Sequence, residues 1–375
     1  MRNGWWSEVP TPALVVLLQF WDDDAVFQRV QGRMGISPNS LSAWEKLLLA
    51  RHCARVLERP DVAVVPPSGQ AASPDPDLTG YPLDWPAPSR SHDEALQLLR
   101  MLGPGARPAV PALIRCLDEP AERGAALAIL AQIGPGAGRA IGPVIALTAD
   151  PDFHDYPQLF PTLKSLHASS EAALAMAVRV VKSRPELDVK REGARFIAAM
   201  ASPERANLAF QQLLKEPDFG TRIAGAAGLE AMGPRATPSI PAVVLAIRDR
   251  DFPLRVVGAQ VLTIIGNREA IDALGELATD PDADVARPAA AMIGFLGPRA
   301  SSAIPALIRA LSHPDPFVPP HAANSLGLIG SGGAIEALER LAADPKAPGA
   351  PEAARALKQI RWAAEAEAAG RQRGS

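Results

Sequence analysis

At 375 residues, with 47% apolar side chains and only 5% aromatics, the chain has ample material for a core built from Ala, Leu, Ile and Val. That composition excludes wholesale disorder and suits closely packed helices better than a β-sandwich. A net charge of −3, from 38 basic and 41 acidic residues, lacks the strongly basic footprint of a nucleic-acid binder, and two cysteines are too few for a disulfide framework or a zinc site.

Residues 1–59 read as a helical N-terminal region or cap. Pro12 to Trp21 is an apolar run too short to span a bilayer, and WDDD follows where a signal-peptide cleavage site would need small residues. It reads as a packed helix, and the chain as a soluble, cytoplasmic protein with no membrane partner. Ser42 and Glu45 have capping-box spacing ahead of WEKLLLARHCARVLER. Residues 60–90 form a linker in which eight prolines exclude a helix. Within it, Tyr81 and Trp85 are candidate docking residues, for the chain's own surface or for a partner.

From Ser91 a repeat takes over, and Ser91 with Glu94 makes a second capping-box pair. LGPGARPAVPALI at Leu102, IGPGAGRAIGPVI at Ile133, MGPRATPSIPAVV at Met232 and LGPRASSAIPALI at Leu296 are variants of one phrase. Weaker copies begin at Ile265 and Ile329. Aligned on Gly103, Gly134, Gly233, Gly266, Gly297 and Gly330, with His167 and Ala201 filling two stations without glycine, the spacings are 31, 33, 34, 32, 33, 31 and 33 residues. A fixed period of this length is the signature of a solenoid whose units bury their apolar faces only against neighbours.

Each unit reads as a short first helix, a turn rich in Asp and Pro, and a second helix ending at the next glycine. The glycine suits a left-handed helix stop, and the following proline prevents continuation. Thr237 before Pro238 and Ser202 before Pro203 read as N-caps. Stacking the second helices puts small residues (Ala126, Gly225, Gly258, Ala289, Ala322) in one buried column and Leu130, Leu229, Leu262, Ile293 and Leu326 in another. After Ile360 the last helix is extended by residues that lead into a tail, 363–375.

On these phrases the chain resembles HEAT-repeat proteins, of the short-unit type also called phycobilisome-lyase HEAT-like repeats, over residues 91–362. The resemblance implies an all-α fold: a right-handed α-solenoid of about eight HEAT-like helix pairs. It also implies a ladder of cations opening the second helices. Arg123, Arg222 and Arg255 match that position, Lys190 substitutes, and Asp118, Glu216 and Asp249 are the expected partners.

Chemistry is hard to find. DPDAD at Asp280 copies the start of an EF-hand loop, but Val285 and Ala291 stand where Gly and Glu are required. DPDFHD falls in an inter-helix turn where acidic residues cap helices. None of the six histidines precedes a glutamate, so the His-Glu pairs of HEAT-type di-iron hydroxylases are missing. The glycine-rich phrases lack the Gly-Lys-Ser/Thr ending of a phosphate loop. No catalytic, metal or cofactor residue is implied.

The second helices are expected to line the concave face. The columns taken as outward begin at Ala128 and Ala131, and of their sixteen residues seven are Ala or Gly and only four are basic, too sparse to track a nucleic-acid backbone. The expectation is therefore a non-catalytic scaffold or regulatory subunit that binds a protein or peptide there. Arg195, Glu230, Gln260, Asn324 and Arg355 are its candidate contacts. The alternative is an enzyme or chaperone of the bilin-lyase type that holds a small molecule.

Overall fold

The structure, a computed structural model, describes residues 43–58, 92–248 and 252–373. The expected helix at Pro12–Trp21, Ser42, Ser91, Asp249 and the linker with Tyr81 and Trp85 lie outside the described residues. Everything described is helix or short connection, and the chain divides into two compact units, Met1–Ala168 and Ser169–Ser375. Among the described residues no helix is long and apolar enough to cross a membrane.

In the first unit, α1 (Ala43–Leu57) packs on α2 (His92–Leu102), on α3 (Val110–Cys116) and on the 3-10 segment Gly103–Ala109. Leu49, Ala50, Cys53, Val56 and Leu57 are buried in that contact. The helix expected as a cap therefore serves as the first helix of a pair whose second helix is α2. The pairs α3 with α4 (Pro120–Ile133) and α5 (Ile141–Ala146) with α6 (Tyr156–Ser165) follow.

The second unit stacks six more pairs along the chain: α7 (Glu171–Ser183) with α8 (Leu187–Met200), α9 (Pro203–Leu213) with α10 (Phe219–Met232), and α11 (Ile240–Ile247) with α12 (Phe252–Ile265). Then come α13 (Arg268–Leu277) with α14 (Ala283–Phe295), α15 (Ile304–Ala310) with α16 (Val318–Ile329), and α17 (Ile335–Ala342) with α18 (Ala350–Arg373). The second helices α8 to α18 lie side by side in one layer and the first helices form the other. The last helix runs to Arg373, well beyond Ile360. Each unit is thus an all-α solenoid segment of the predicted kind.

The glycines do what the period asks of them. All six have positive φ, from 53° at Gly103 to 77° at Gly330. Gly330 is left-handed, but Gly134 (66°, −141°) and Gly233 (60°, −134°) occupy the mirror image of extended backbone, a region that glycine alone enters freely. That turn leads into a seven-residue 3-10 segment before the first helix in four of the units. His167 keeps the positive φ, at 55°, without the glycine, whereas Ala201 leaves its helix in extended backbone.

Two local expectations need correction. Ser202 caps α9, accepting from the Arg205 amide, but Thr237 lies inside a 3-10 segment, where its hydroxyl donates to Pro234 O at 2.7 Å. The cation ladder exists, but the carboxylates found in it are not those of Asp118 or Glu216, and Asp249 lies outside the described residues. Arg123 Nε donates to Leu117 O at 2.8 Å, and Arg222 donates to the carbonyls of Glu216 and Pro217, also at 2.8 Å. The carboxylates come from the next pair's turn: Asp150 at 4.0 Å from Arg123, Asp218 at 3.0 Å from Lys190 and Asp282 at 3.0 Å from Arg255. The reason is geometric. Each cation opens a second helix whose neighbour is the following pair's turn, while the turns before Arg123 and Arg222 offer those two residues backbone carbonyls.

Candidate binding face

The layer of second helices in the second unit is held tight by small residues. A Cβ on Gly294 would lie 2.7 Å from Ser325 Oγ, and one on Gly327 2.8 Å from the Ala356 methyl, so α14, α16 and α18 touch nearly backbone to backbone. Ser325 Oγ adds a hydrogen bond to Ala290 O at 2.7 Å, and in the first unit Thr162 does the same to Leu127 O at 3.1 Å. Ala198, Gly294 and Gly327 are accordingly buried. The sequence reading took their column as outward. Its small side chains serve helix contact instead.

The other expected column does face solvent. Arg195, Gln260, Asn324 and Arg355 are exposed, while Glu230, from the column of Ala198, Gly294 and Gly327, is half-buried. Gln260 Nε2 donates to Glu230 Oε1 at 3.0 Å, joining α12 to α10. Arg195 is held by Glu192 on its own helix at 2.6 Å. Asn324 and Arg355 make no hydrogen bond or ion pair among the described residues.

Sequence reasoning passed over the apolar members of this face. Ile264, Phe295 and Leu328 are 39%, 74% and 47% exposed, and each stands two residues before the glycine of its unit. They follow Gln260, Ala291 and Asn324 by four residues, so each helix presents one small or amide side chain and one large apolar one on the same line of its surface. The signal was available in the aligned columns. It was hidden because an apolar residue near a helix end is ordinarily assigned to the core.

The acids that invited a metal reading have structural duties. Asp150 Oδ1 accepts from the Asp152 amide at 2.9 Å, Asp280 from Asp282 at 3.1 Å, and Asp282 caps α14 through the Asp284 amide at 2.9 Å. Among the described residues no group of three or more His, Cys, Asp or Glu is placed to hold a metal ion. Cys53 and Cys116 are buried free thiols. Burial raises both to a pKa of about 12, with the Glu122 carboxylate adding to the effect at Cys116.

The comparisons agree with the repeat reading. Residues 206–294 and 271–358 match the model of HEAT repeats. No functionally characterised protein matches the sequence. Among solved structures, a chain from the Kap95p–RanGDP complex superposes with a TM-score of 0.48 at 14% identity, over 73% of this chain and 44% of that one. A chain of the CpcE–CpcF phycocyanin lyase of Nostoc sp. PCC7120 gives 0.31 at 18% identity, covering 59% and 94%. Human deoxyhypusine hydroxylase gives 0.30 at 22% identity, covering 68% and 96%. These likenesses are too distant to bear on binding or activity. What stands is the repeat itself, in sequence and in backbone: residues 206–358, within the second unit, match HEAT repeats.

Proposed function

We propose that the chain is a non-catalytic scaffold or regulatory subunit that binds a polypeptide across the exposed face of α12, α14 and α16. The observation that carries this reading is the row Ile264, Phe295 and Leu328, repeated at one position of three adjacent helices and bordered by Gln260 and Asn324. Single exposed apolar residues are ordinary, but a row of them on touching helices is what interaction surfaces present. Amides beside the row suit the peptide groups of a bound chain, and the unengaged Asn324 can both donate and accept. The ends of the face differ in sign, with Glu230 on α10 and Arg355 and Lys358 on α18, which favours one direction of the bound segment.

The test is affinity capture from an extract of the source cells, with the full chain and its Phe295→Asp and Leu328→Asp variants as bait. The expected result is one stoichiometric polypeptide retained by the wild type and lost from both variants. Retention unchanged in both variants, or recovery of a coloured small molecule in place of a polypeptide, overturns the reading.

A further inference from the structure

The layer of first helices in the second unit carries a separate groove. Between α11 and α13 lies an open channel of about 760 Å³ whose two walls differ in chemistry. One wall is aliphatic: Pro241, Val244 and Leu245, the last 67% exposed. The other is acidic: Glu269, Asp272 and Glu276, three to four residues apart and so on one face of α13. Asp272 is engaged by Arg268 at 3.5 Å and by Ser302 Oγ at 3.0 Å. The carboxylates of Glu269 and Glu276 have no ion pair or hydrogen bond among the described residues. Arg268, 82% exposed at the start of the helix, lines the same wall and is turned to Asp272, and Arg248, paired with Asp280 at 3.2 Å, is another cation nearby.

The sister units show that this wall is a local departure from the repeat. α3 reads VPALIRC, α15 reads IPALIRA and α11 reads IPAVVLA. Leu245 therefore stands where the others carry Arg115, paired with Glu58 at 2.6 Å, and Arg309, bonded to Pro305 O. An exposed leucine at a position that α3 and α15 fill with a solvated arginine, and α5 with Ala146, leaves the acidic wall without that cation and adds apolar surface facing it.

We infer that this groove docks a basic amphipathic segment of another protein, with Leu, Ile or Val side chains against Val244 and Leu245 and Lys or Arg side chains against Glu269 and Glu276. The charge selects the occupant. Nucleic acid and anionic lipid would be repelled by the acidic wall. A second copy paired by a two-fold axis would set glutamates against glutamates. α13 has ten residues, so it spans about 15 Å, the length of a three-turn helix or a few extended residues. The site lies on a different layer from the second-helix face and does not depend on it.

The test selects a phage-displayed library of random twelve-residue peptides on the full chain, then measures the enriched peptides by fluorescence anisotropy against variants. The expected peptides combine Lys or Arg with branched aliphatics. They lose at least tenfold in affinity on Leu245→Arg or on Glu269→Lys with Glu276→Lys, weaken severalfold from 50 to 500 mM NaCl by charge screening, and bind Phe295→Asp unchanged. Leu245→Arg installs the residue that α3 and α15 carry at this exposed position, so a folding failure is not in prospect, and circular dichroism checks it. Peptides without basic residues, affinity unaffected by Leu245→Arg, or no enrichment overturns the inference. So does loss on Phe295→Asp alone, which would place the peptides on the second-helix face. Concentration-dependent association of the protein itself, abolished by Leu245→Arg in sedimentation, would give the groove to a second copy and also overturn it.

Discussion

Lys190, at the start of α8, puts its ammonium 3.0 Å from the carboxylate of Asp218, the N-cap of α10, and so ties two neighbouring second helices. The lysine side chain is only 4% exposed, and its remaining donors reach Val181 O at 2.8 Å and Thr221 Oγ1 at 2.9 Å. A buried ammonium is tolerated because all three of its donors are satisfied. Asp218→Asn removes the compensating charge and is expected to cost about 1–2 kcal/mol. That is less than a fully buried pair would lose, because Asp218 is 56% exposed. Lys190→Met removes the need for compensation and is expected within about 1 kcal/mol of wild type. Urea unfolding of the two single variants and the double variant checks both, and the double-mutant cycle isolates the pair.

The same pair sets a pH dependence. Hydrogen bonds from the Thr221 hydroxyl, then from Lys190 and from the Thr221 amide, hold Asp218 down at a pKa of about 2, against an ordinary value of 3.8. A folded-state pKa below the unfolded one means that the contribution is complete above about pH 4 and lost as the pH falls toward 2. The stability difference between wild type and Asp218→Asn is therefore expected to be constant from pH 7 to 5 and to shrink between pH 4 and 2. A difference that persists at pH 2 would mean that the loss in the variant is steric.

The period, the glycine stations and the pairing of helices were legible in the sequence because each rests on a residue type with a local mechanism. Glycine at positive φ and proline in a first turn announce themselves without any tertiary information. The partners of the ladder were not legible. Asp118 and Glu216 lie in the turns just before Arg123 and Arg222, whereas Asp150 and Asp282 reach Arg123 and Arg255 only because consecutive pairs stack. The proposed binding face fell between these cases. Gln260 and Asn324 were placed correctly on the open surface, while Gly294 and Gly327 could be assigned to helix contact only once the neighbouring helix was in view.

The two thiols offer a direct probe of packing. Cys53 and Cys116 are 1% and 2% exposed, and burial, the largest cause for each, raises both to a pKa of about 12. At pH 8 neither thiolate is populated nor accessible, so the native protein is expected to leave both described cysteines unreactive toward a thiol-disulfide reagent. Both should react within seconds in 6 M guanidinium. Fast reaction of one thiol under native conditions would show that α1 detaches from α2 and α3 on that timescale, since Cys53 is buried in that contact.

His167 and Gly228 are positions that favour glycine for different reasons, one for its backbone freedom and the other for its lack of a Cβ. His167 holds a φ of 55° at a station where six sister positions use glycine. A non-glycine residue in that region costs roughly 1–2 kcal/mol, partly offset in a His167→Gly variant by the greater freedom of the unfolded chain. The variant is expected to gain about 0.5–1 kcal/mol, since His167 itself is exposed and gives up little packing. Gly228 has an ordinary backbone conformation, but a Cβ there would sit 2.2 Å from the ring of Phe210, which is fully buried. Gly228→Ala must displace that ring, and overpacking of this kind costs about 1–3 kcal/mol or more. Gly138, with nothing within 4 Å of its would-be Cβ, is the control: Gly138→Ala should be neutral or mildly stabilising. Thermal melts of the three variants order them, with His167→Gly highest and Gly228→Ala lowest. A Gly228→Ala variant as stable as Gly138→Ala would mean that α9 and α10 are not packed ring against backbone.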